Sequence, residues 1–271
     1  MTIDGLEMAY RVAGDPAGQP ITLIHGYTGN TRNWALQIKP LTGGGWRTLC
    51  ADNPGHGSSA GPEDAAVYTM PAMAARQHAL AETMGFAPAV VVGHSMGGAI
   101  AEEYALRYPE HVRALILVDS AGGASRRDEP AAAEMRRGME NMRAMARERG
   151  LAAAYDWQVE HGLRPAVAQI SPELRELARS EFLKTSLPGY LHCGAQLNER
   201  DDTLGRLASL VVPTLVICGE NENPGLRKVA DDLARTIPGA RYEIIADAAH
   251  SPTLENTPAF NAVVLDFLRG L

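Results

Sequence analysis

The chain has 271 residues, 45% hydrophobic and 21% charged, the make-up of a soluble globular protein with room for one large α/β domain or one domain with an inserted subdomain. A formal net charge of −7 argues against nucleic acid and anionic membrane surfaces as partners, and no apolar run approaches the length of a membrane span. Cys50, Cys193 and Cys218 make an odd number with no metal-ligand spacing; Cys50 and Cys218 fall in strand-like apolar runs, which reads as buried free thiols, and with no basic and apolar leader at the N-terminus the expected setting is reducing and cytoplasmic.

Leu6–Ala13 alternates as an edge strand does, and Ile21–Ile24 is a short apolar run suited to an inner strand. The loop His25-Gly26-Tyr27-Thr28-Gly29-Asn30 follows directly. A glycine-rich loop there can turn the Tyr27 N–H toward the end of the neighbouring strand. Thr31–Ile38 reads as a short helix and Trp46–Ala51 as a strand. It runs into the polar turn Asp52-Asn53-Pro54-Gly55-His56-Gly57, where His56 is expected to bond local backbone rather than act in chemistry. Met70–Met84 has helical periodicity, with Thr69 placed to cap it and Gly85 to stop it.

Ala89–Val92 reads as a buried strand, followed by Gly93-His94-Ser95-Met96-Gly97 and an alanine-rich helical pattern to Arg107. Strand, Gly-x-Ser-x-Gly, helix is a nucleophile elbow. Glycine lacks a Cβ, so Gly93 and Gly97 let strand and helix pass closely while the tight turn holds the Ser95 hydroxyl in the open. The Met96 N–H and the positive end of the helix then face any negative charge that forms there. Val112–Val118 is a further buried strand, ending at Asp119. Alternating strands and helices predict a mostly parallel sheet flanked by helices, residues 1–121 being its first part.

Between residues 122 and 205 the rhythm breaks into Ala-, Met-, Arg- and Glu-rich helical patterns, the expected inserted helical cap. Met135, Met139 and Met142 recur at helical spacing, first as a stripe packed on a core and second as an adaptable pocket lining. The sheet resumes over 206–271: strand Pro213–Cys218, a loop from Gly219 to Pro224, helix Leu226–Thr236, strand Arg241–Ile245, a loop carrying His250, and helix Thr257–Leu271. Serine needs a base in contact with it, and the base needs an acid. His250, in the loop after the last strand, is the candidate base, and the loop after the preceding strand offers the acid.

The chain resembles the cap-bearing esterases and related hydrolases of the α/β-hydrolase superfamily over nearly its whole length. The likeness rests on His25-Gly26-Tyr27, Asp52–Gly57, Gly93–Gly98, Gly219-Glu220-Asn221-Glu222 and Ala249-His250-Ser251-Pro252. It implies Ser95 as nucleophile, His250 as base, and Tyr27 and Met96 as backbone donors to an oxyanion. It also implies one departure: the family usually carries Asp where this chain has Glu222. Glu222 ranks first as the acid, Asp119 second and Glu220 third. The expected activity is hydrolysis of small-molecule carboxylic esters without metal or cofactor. Carbon–carbon or enol-lactone hydrolysis is the alternative, with a cap arginine such as Arg126, Arg127 or Arg164 receiving a substrate carboxylate. A ligand-binding homologue without turnover is the third reading, and a homo-oligomer is left open.

Overall fold

The computed structural model describes residues 1–123, 130–161 and 171–271. Seven strands form its main sheet: β1 (Tyr10–Ala13), β2 (Gln19–Ile24), β3 (Trp46–Ala51), β4 (Ala89–His94), β5 (Val112–Val118), β6 (Thr214–Gly219) and β7 (Arg241–Ile245). Their spatial order is β1-β3-β2-β4-β5-β6-β7. Only β1 is antiparallel to its neighbour; β2 to β7 run parallel and share one carboxyl edge. Strands covered on both faces need apolar residues at every position, which is why Val90, Val91 and Val92 stand in succession.

Alternate residues serve opposite faces. Val90, Val92, Ile116 and Ile217 pack with Trp34, Phe260, Val264 and Leu268, beneath α1 (Ala35–Gly43) and α8 (Thr257–Arg269). Val91, Leu115, Leu117 and Val216 pack with Met73, Ile100, Tyr104 and Leu233, beneath α2 (Met70–Thr83), α3 (Met96–Arg107) and α7 (Pro224–Thr236). Thr69 caps α2 by accepting from the Ala72 N–H.

The expected edge strand Leu6–Ala13 is split. Leu6–Glu7 pairs with Thr2–Ile3 in a separate hairpin, and only Tyr10–Ala13 joins the sheet. Ile3, Leu6 and Met8 are buried against Leu80 and Phe86, so their apolar character serves a small side core. The helix expected over Thr31–Ile38 begins as a 3-10 turn, Thr31–Trp34, and continues as α1 to Gly43.

A helical insertion joins β5 to β6: α4 (Pro130–Glu160), α5 (Pro172–Phe182) and α6 (Leu187–Glu199). α4 is broken at Gly150, whose φ of 85° leaves the helical region. The core of the insertion is aromatic: Tyr155, Phe182 and Tyr190 with Ala146 and Ala154, and Met145 at its margin. Met139 and Met142 are half-buried, so the expected methionine stripe is not the centre of this packing; the Met135 side chain lies outside the described residues. Contacts seat the insertion on the sheet's loops. The Tyr27 hydroxyl donates to Tyr190 O (2.7 Å), Ser186 N to Gly55 O (2.7 Å), and Asn30 Nδ2 to Glu181 (3.0 Å). Cys50, Cys193 and Cys218 are free and buried, and no helix of the described residues is long and apolar enough to cross a membrane.

Candidate active site

β4 and α3 meet at Ser95, whose backbone sits at φ 55°, ψ −118°, a conformation L-residues adopt only under constraint. The constraint is close packing. A Cβ on Gly93 would stand 2.1 Å from Gly97 O, and one on Gly97 would stand 2.2 Å from Ile24 O. Only glycine fits at either place, so the elbow's spacing is a steric requirement. The Ser95 N–H is fixed by Val118 O (2.9 Å). With its backbone pinned, the serine is left at the head of α3, 9% exposed.

Two loops at the carboxyl edge complete a chain of hydrogen bonds. His250 Nε2 lies 3.0 Å from Ser95 Oγ, and His250 Nδ1 lies 2.5 Å from Glu222 Oε2. Glu222 is buried, and its other oxygen accepts from the Asn223 N–H (2.5 Å). The His250 side chain is 41% exposed, so the imidazole is reachable from solvent. Burial pulls the His250 pKa down, but its bond to the Glu222 charge outweighs this and holds it above the ordinary histidine value. Burial likewise works against the Glu222 charge, yet the bond to His250 keeps that carboxyl below its ordinary value.

Of the rival carboxylates, Asp119 lies near His250 without a hydrogen bond to it and Glu220 stands at the surface. Asp119 is fully buried at the end of β5, where one oxygen accepts from the Gly219 N–H (3.0 Å). Glu220 accepts from the exposed Asp247 N–H (3.0 Å). The structure therefore brings Ser95, His250 and Glu222 together and gives Glu220 a surface role.

The Tyr27 loop lies against the elbow. A Cβ on Gly26 would come within 3.1 Å of Ser95 Cβ. A buried polar network fixes this loop from behind. His25 Nε2 accepts from the Asn53 N–H (2.9 Å), which leaves the proton on Nδ1 to donate to Gly26 O (2.8 Å). Asn53 donates to His25 O (3.2 Å) and accepts from Gln77 (2.8 Å), while Asp52 accepts from Thr31 N (2.7 Å) and Ser58 N (2.9 Å). His56 bonds Pro54 O (2.9 Å), the local role expected of it. Burial keeps His25 neutral with its pKa lowered to about 4, and His56 to about 3.

His94, an elbow residue to which the sequence assigns no role, holds the His250 loop. Burial lowers its pKa to about 4, so the ring is neutral, and Nε2–H donates to His250 O (2.6 Å). The signal was its place: the residue before an elbow serine lies beside whatever loop crosses the sheet edge.

Among the described residues, two clusters bring ligand-type atoms within 4.8 Å: His78, Glu82 and His111, and His94, Asp119 and His250. In the first, His78 Nε2 and His111 Nδ1 are 2.6 Å apart in a direct hydrogen bond. Two nitrogens sharing a tetrahedral zinc stand about 3.3 Å apart, given Zn–N bonds near 2.0 Å. In the second, both ring nitrogens of His250 are engaged by Glu222 and Ser95. A separate cleft of about 270 Å³, lined by Met70, Ala99, Glu103, Gln196 and Arg200, includes none of Ser95, Glu222 and His250.

Comparison with known proteins bears on the fold and the family. The enol-lactonase of Burkholderia xenovorans LB400 superposes with a TM-score of 0.82 at 27% identity, covering 98% of each chain. A thermophilic esterase from Thermogutta terrifontis gives 0.81 at 28% identity, covering 98% of this chain and 94% of its own. In sequence, Lipase 1 of Psychrobacter immobilis is 28% identical over 96% of this chain and 82% of its own length. A family model described as alpha/beta hydrolase fold matches residues 19–257. The chain belongs to the α/β-hydrolase family and is a hydrolase of that fold.

Proposed function

We propose that the protein is a serine carboxylesterase acting on small to medium carboxylic esters, with the insertion over residues 122–205 serving as a cap on the substrate. The observation that carries this is the continuous chain Glu222–His250–Ser95 at the head of α3. Esterase and lipase relatives support the choice of bond.

In this reading Ser95 Oγ attacks the acyl carbon while His250 Nε2 takes its proton, and Glu222 holds the imidazole in the tautomer that leaves Nε2 free to accept. The oxyanion lies on the Met96 and Tyr27 backbone N–H groups; one such donor is worth about 100- to 1000-fold in rate. His250 then hands its proton to the departing alkoxide. A water, deprotonated in turn by His250, attacks the acyl-enzyme; His250 returns that proton to the departing Ser95 Oγ, which releases the acid and restores the triad. Ser95→Ala should abolish hydrolysis of short p-nitrophenyl esters, a loss on the order of a millionfold in kcat. Activity surviving that change would sink the mechanism.

A second reading keeps the triad and gives the substrate a carboxylate, as in carbon–carbon or enol-lactone hydrolysis. Arg126, Arg127 and Arg164, the arginines first considered, lie outside the described residues. Arg143 of α4 supports this reading instead. A Cβ on Gly194 would stand 2.9 Å from the Tyr27 hydroxyl and 3.0 Å from Arg143 Cδ, so the arginine lies beside the proposed oxyanion loop. Its buried Nε has no hydrogen-bond partner among the described residues. Arg143→Met should raise KM for a carboxylate-bearing ester about tenfold or more while leaving a neutral ester unchanged. Equal effects on both would remove this second reading.

A further inference from the structure

Glu102 is a fully buried carboxyl in the middle of α3 that the proposed reaction does not use. A carboxyl so placed is destabilising unless donors meet its oxygens, and here three of them do. The Ser120 hydroxyl donates to Oε1 (2.7 Å), while the Gly123 N–H (2.9 Å) and the Thr203 hydroxyl (2.6 Å) donate to Oε2. Ser120 and Gly123 lie where the chain leaves β5 for the insertion, and Thr203 lies where it returns after α6. Gly123 and Thr203 are 80 positions apart and share one acceptor. They also bond each other, Thr203 N–H to Gly123 O (3.3 Å), and Arg200 Nη2 donates to Gly122 O (3.1 Å). The exit segment is wrapped closely round the carboxyl: a Cβ on Gly122 would stand 2.1 Å from both Glu102 oxygens.

The same segment reaches the elbow. Ala121, next to Ser120, gives its N–H to Ser95 O (3.0 Å), and a Cβ on Gly98 of the first turn of α3 would stand 2.5 Å from Ser120 Oγ. The backbone of the nucleophile and both roots of the insertion are therefore held in one network. We propose that Glu102 is a positioning residue that fastens the two roots to the nucleophile helix and so sets how the insertion seats over Ser95. A carboxylate suits the task because both of its oxygens accept, whereas an amide accepts at only one. The cleft of about 270 Å³ borders this clamp, with Gly122, Arg200 and Thr203 in its wall. On that side the roots face open space, so hydrogen bonds rather than close packing hold them.

The inference rests on the reading of the insertion as a substrate cap, and its test sets Thr203→Val against Thr203→Ser. Valine removes the hydroxyl that joins the returning root to Glu102; serine keeps it. Losing one hydrogen bond of ordinary worth corresponds to about fivefold in an equilibrium. In Thr203→Val, amides of α6 should exchange hydrogen about fivefold faster while those of β4 and β5 keep their wild-type rates. KM for p-nitrophenyl hexanoate, whose chain reaches the cap, should rise about fivefold. KM for p-nitrophenyl acetate should stay within about twofold, and kcat for both esters within about threefold. Thr203→Ser should restore the wild-type values. Unchanged α6 exchange in folded Thr203→Val overturns the proposal. So does an equal rise in exchange at β4 and β5, the mark of a merely structural role, or a serine variant that behaves like the valine one. Faster α6 exchange with an unmoved hexanoate KM supports the clamp and removes the cap reading beneath it. If Thr203→Val does not fold, Glu102→Gln, which keeps one accepting oxygen, is read in the same way.

Discussion

The carboxyl edge of the sheet and the helical insertion are held in different ways. At the edge, position is set by close backbone contact and by buried polar groups with matched partners: Gly93 against Gly97, Gly97 against Ile24 O, His25 with Asn53, His94 with His250 O. A shift of half an ångström there breaks several contacts together. The insertion has an aromatic core of its own, and it is joined to the edge by hydrogen bonds from Tyr27, Asn30 and Ser186, by close backbone packing of Gly189 on Gly55, and by Cys193, which is buried in the main core. The difference teaches where two kinds of information reside. In the proposed reading the reaction class belongs to the edge and the choice of substrate to the insertion, and solved structures of similar architecture include an esterase and an enol-lactonase.

The comparison breaks most sharply on the edge. Glu222→Gln should lower kcat about 1000- to 10,000-fold with KM little changed, because the amide leaves His250 without the charge that fixes its tautomer. Steady-state kinetics checks this, and a change confined to KM would move Glu222 out of the catalytic chain.

Stability offers the next largest effect. His25, His56 and His94 are buried neutral, with pKa values lowered to about 4, 3 and 4. The unfolded chain takes up protons near pH 6.5 while the folded chain does not, so stability is full above that pH and falls as the pH drops below it. His25 and His94 each contribute about 3 kcal/mol to the loss, and His56 about 5 kcal/mol, by the time the folded-state pKa is reached. Denaturant titrations between about pH 8 and pH 5 should show the decline, and His56→Gln should flatten it. Stability that does not change over this range would contradict the neutral assignment.

The insertion should yield the smallest effect and on a different parameter. Tyr27→Phe deletes the hydroxyl bond to Tyr190 O but keeps the backbone N–H proposed for the oxyanion. A loss of about 1 kcal/mol in stability and a few-fold rise in KM, with kcat preserved, is expected from calorimetry and kinetics. A large fall in kcat would show that the boundary between the two regions is misdrawn.

Much of the edge was legible in the sequence because its constraints are local. Val112–Val118 and Arg241–Ile245 are the observed strands, and in the first an apolar run between turn residues states both its length and its burial. The elbow was legible because the steric demand falls on glycines two residues either side of Ser95. Glu222 could be ranked above Asp119 and Glu220 by its place in a loop motif, not by distance. What stayed hidden depends on meetings between distant segments. Leu6–Glu7 turning back onto Thr2–Ile3 looks, in sequence, like one strand with Tyr10–Ala13. Helical periodicity marked an apolar stripe at the methionines, whereas the insertion's core is assembled by Tyr155, Phe182 and Tyr190 from three helices.

The central claim is that the Ser95 hydroxyl becomes covalently acylated. Mass spectrometry of the protein quenched during turnover of a slowly deacylated p-nitrophenyl ester tests it directly. The account predicts the acyl mass on the peptide containing Ser95, formed as fast as the nitrophenol burst and absent from Ser95→Ala. Turnover with no acylated protein, or an acyl group on another residue at the burst rate, would contradict it.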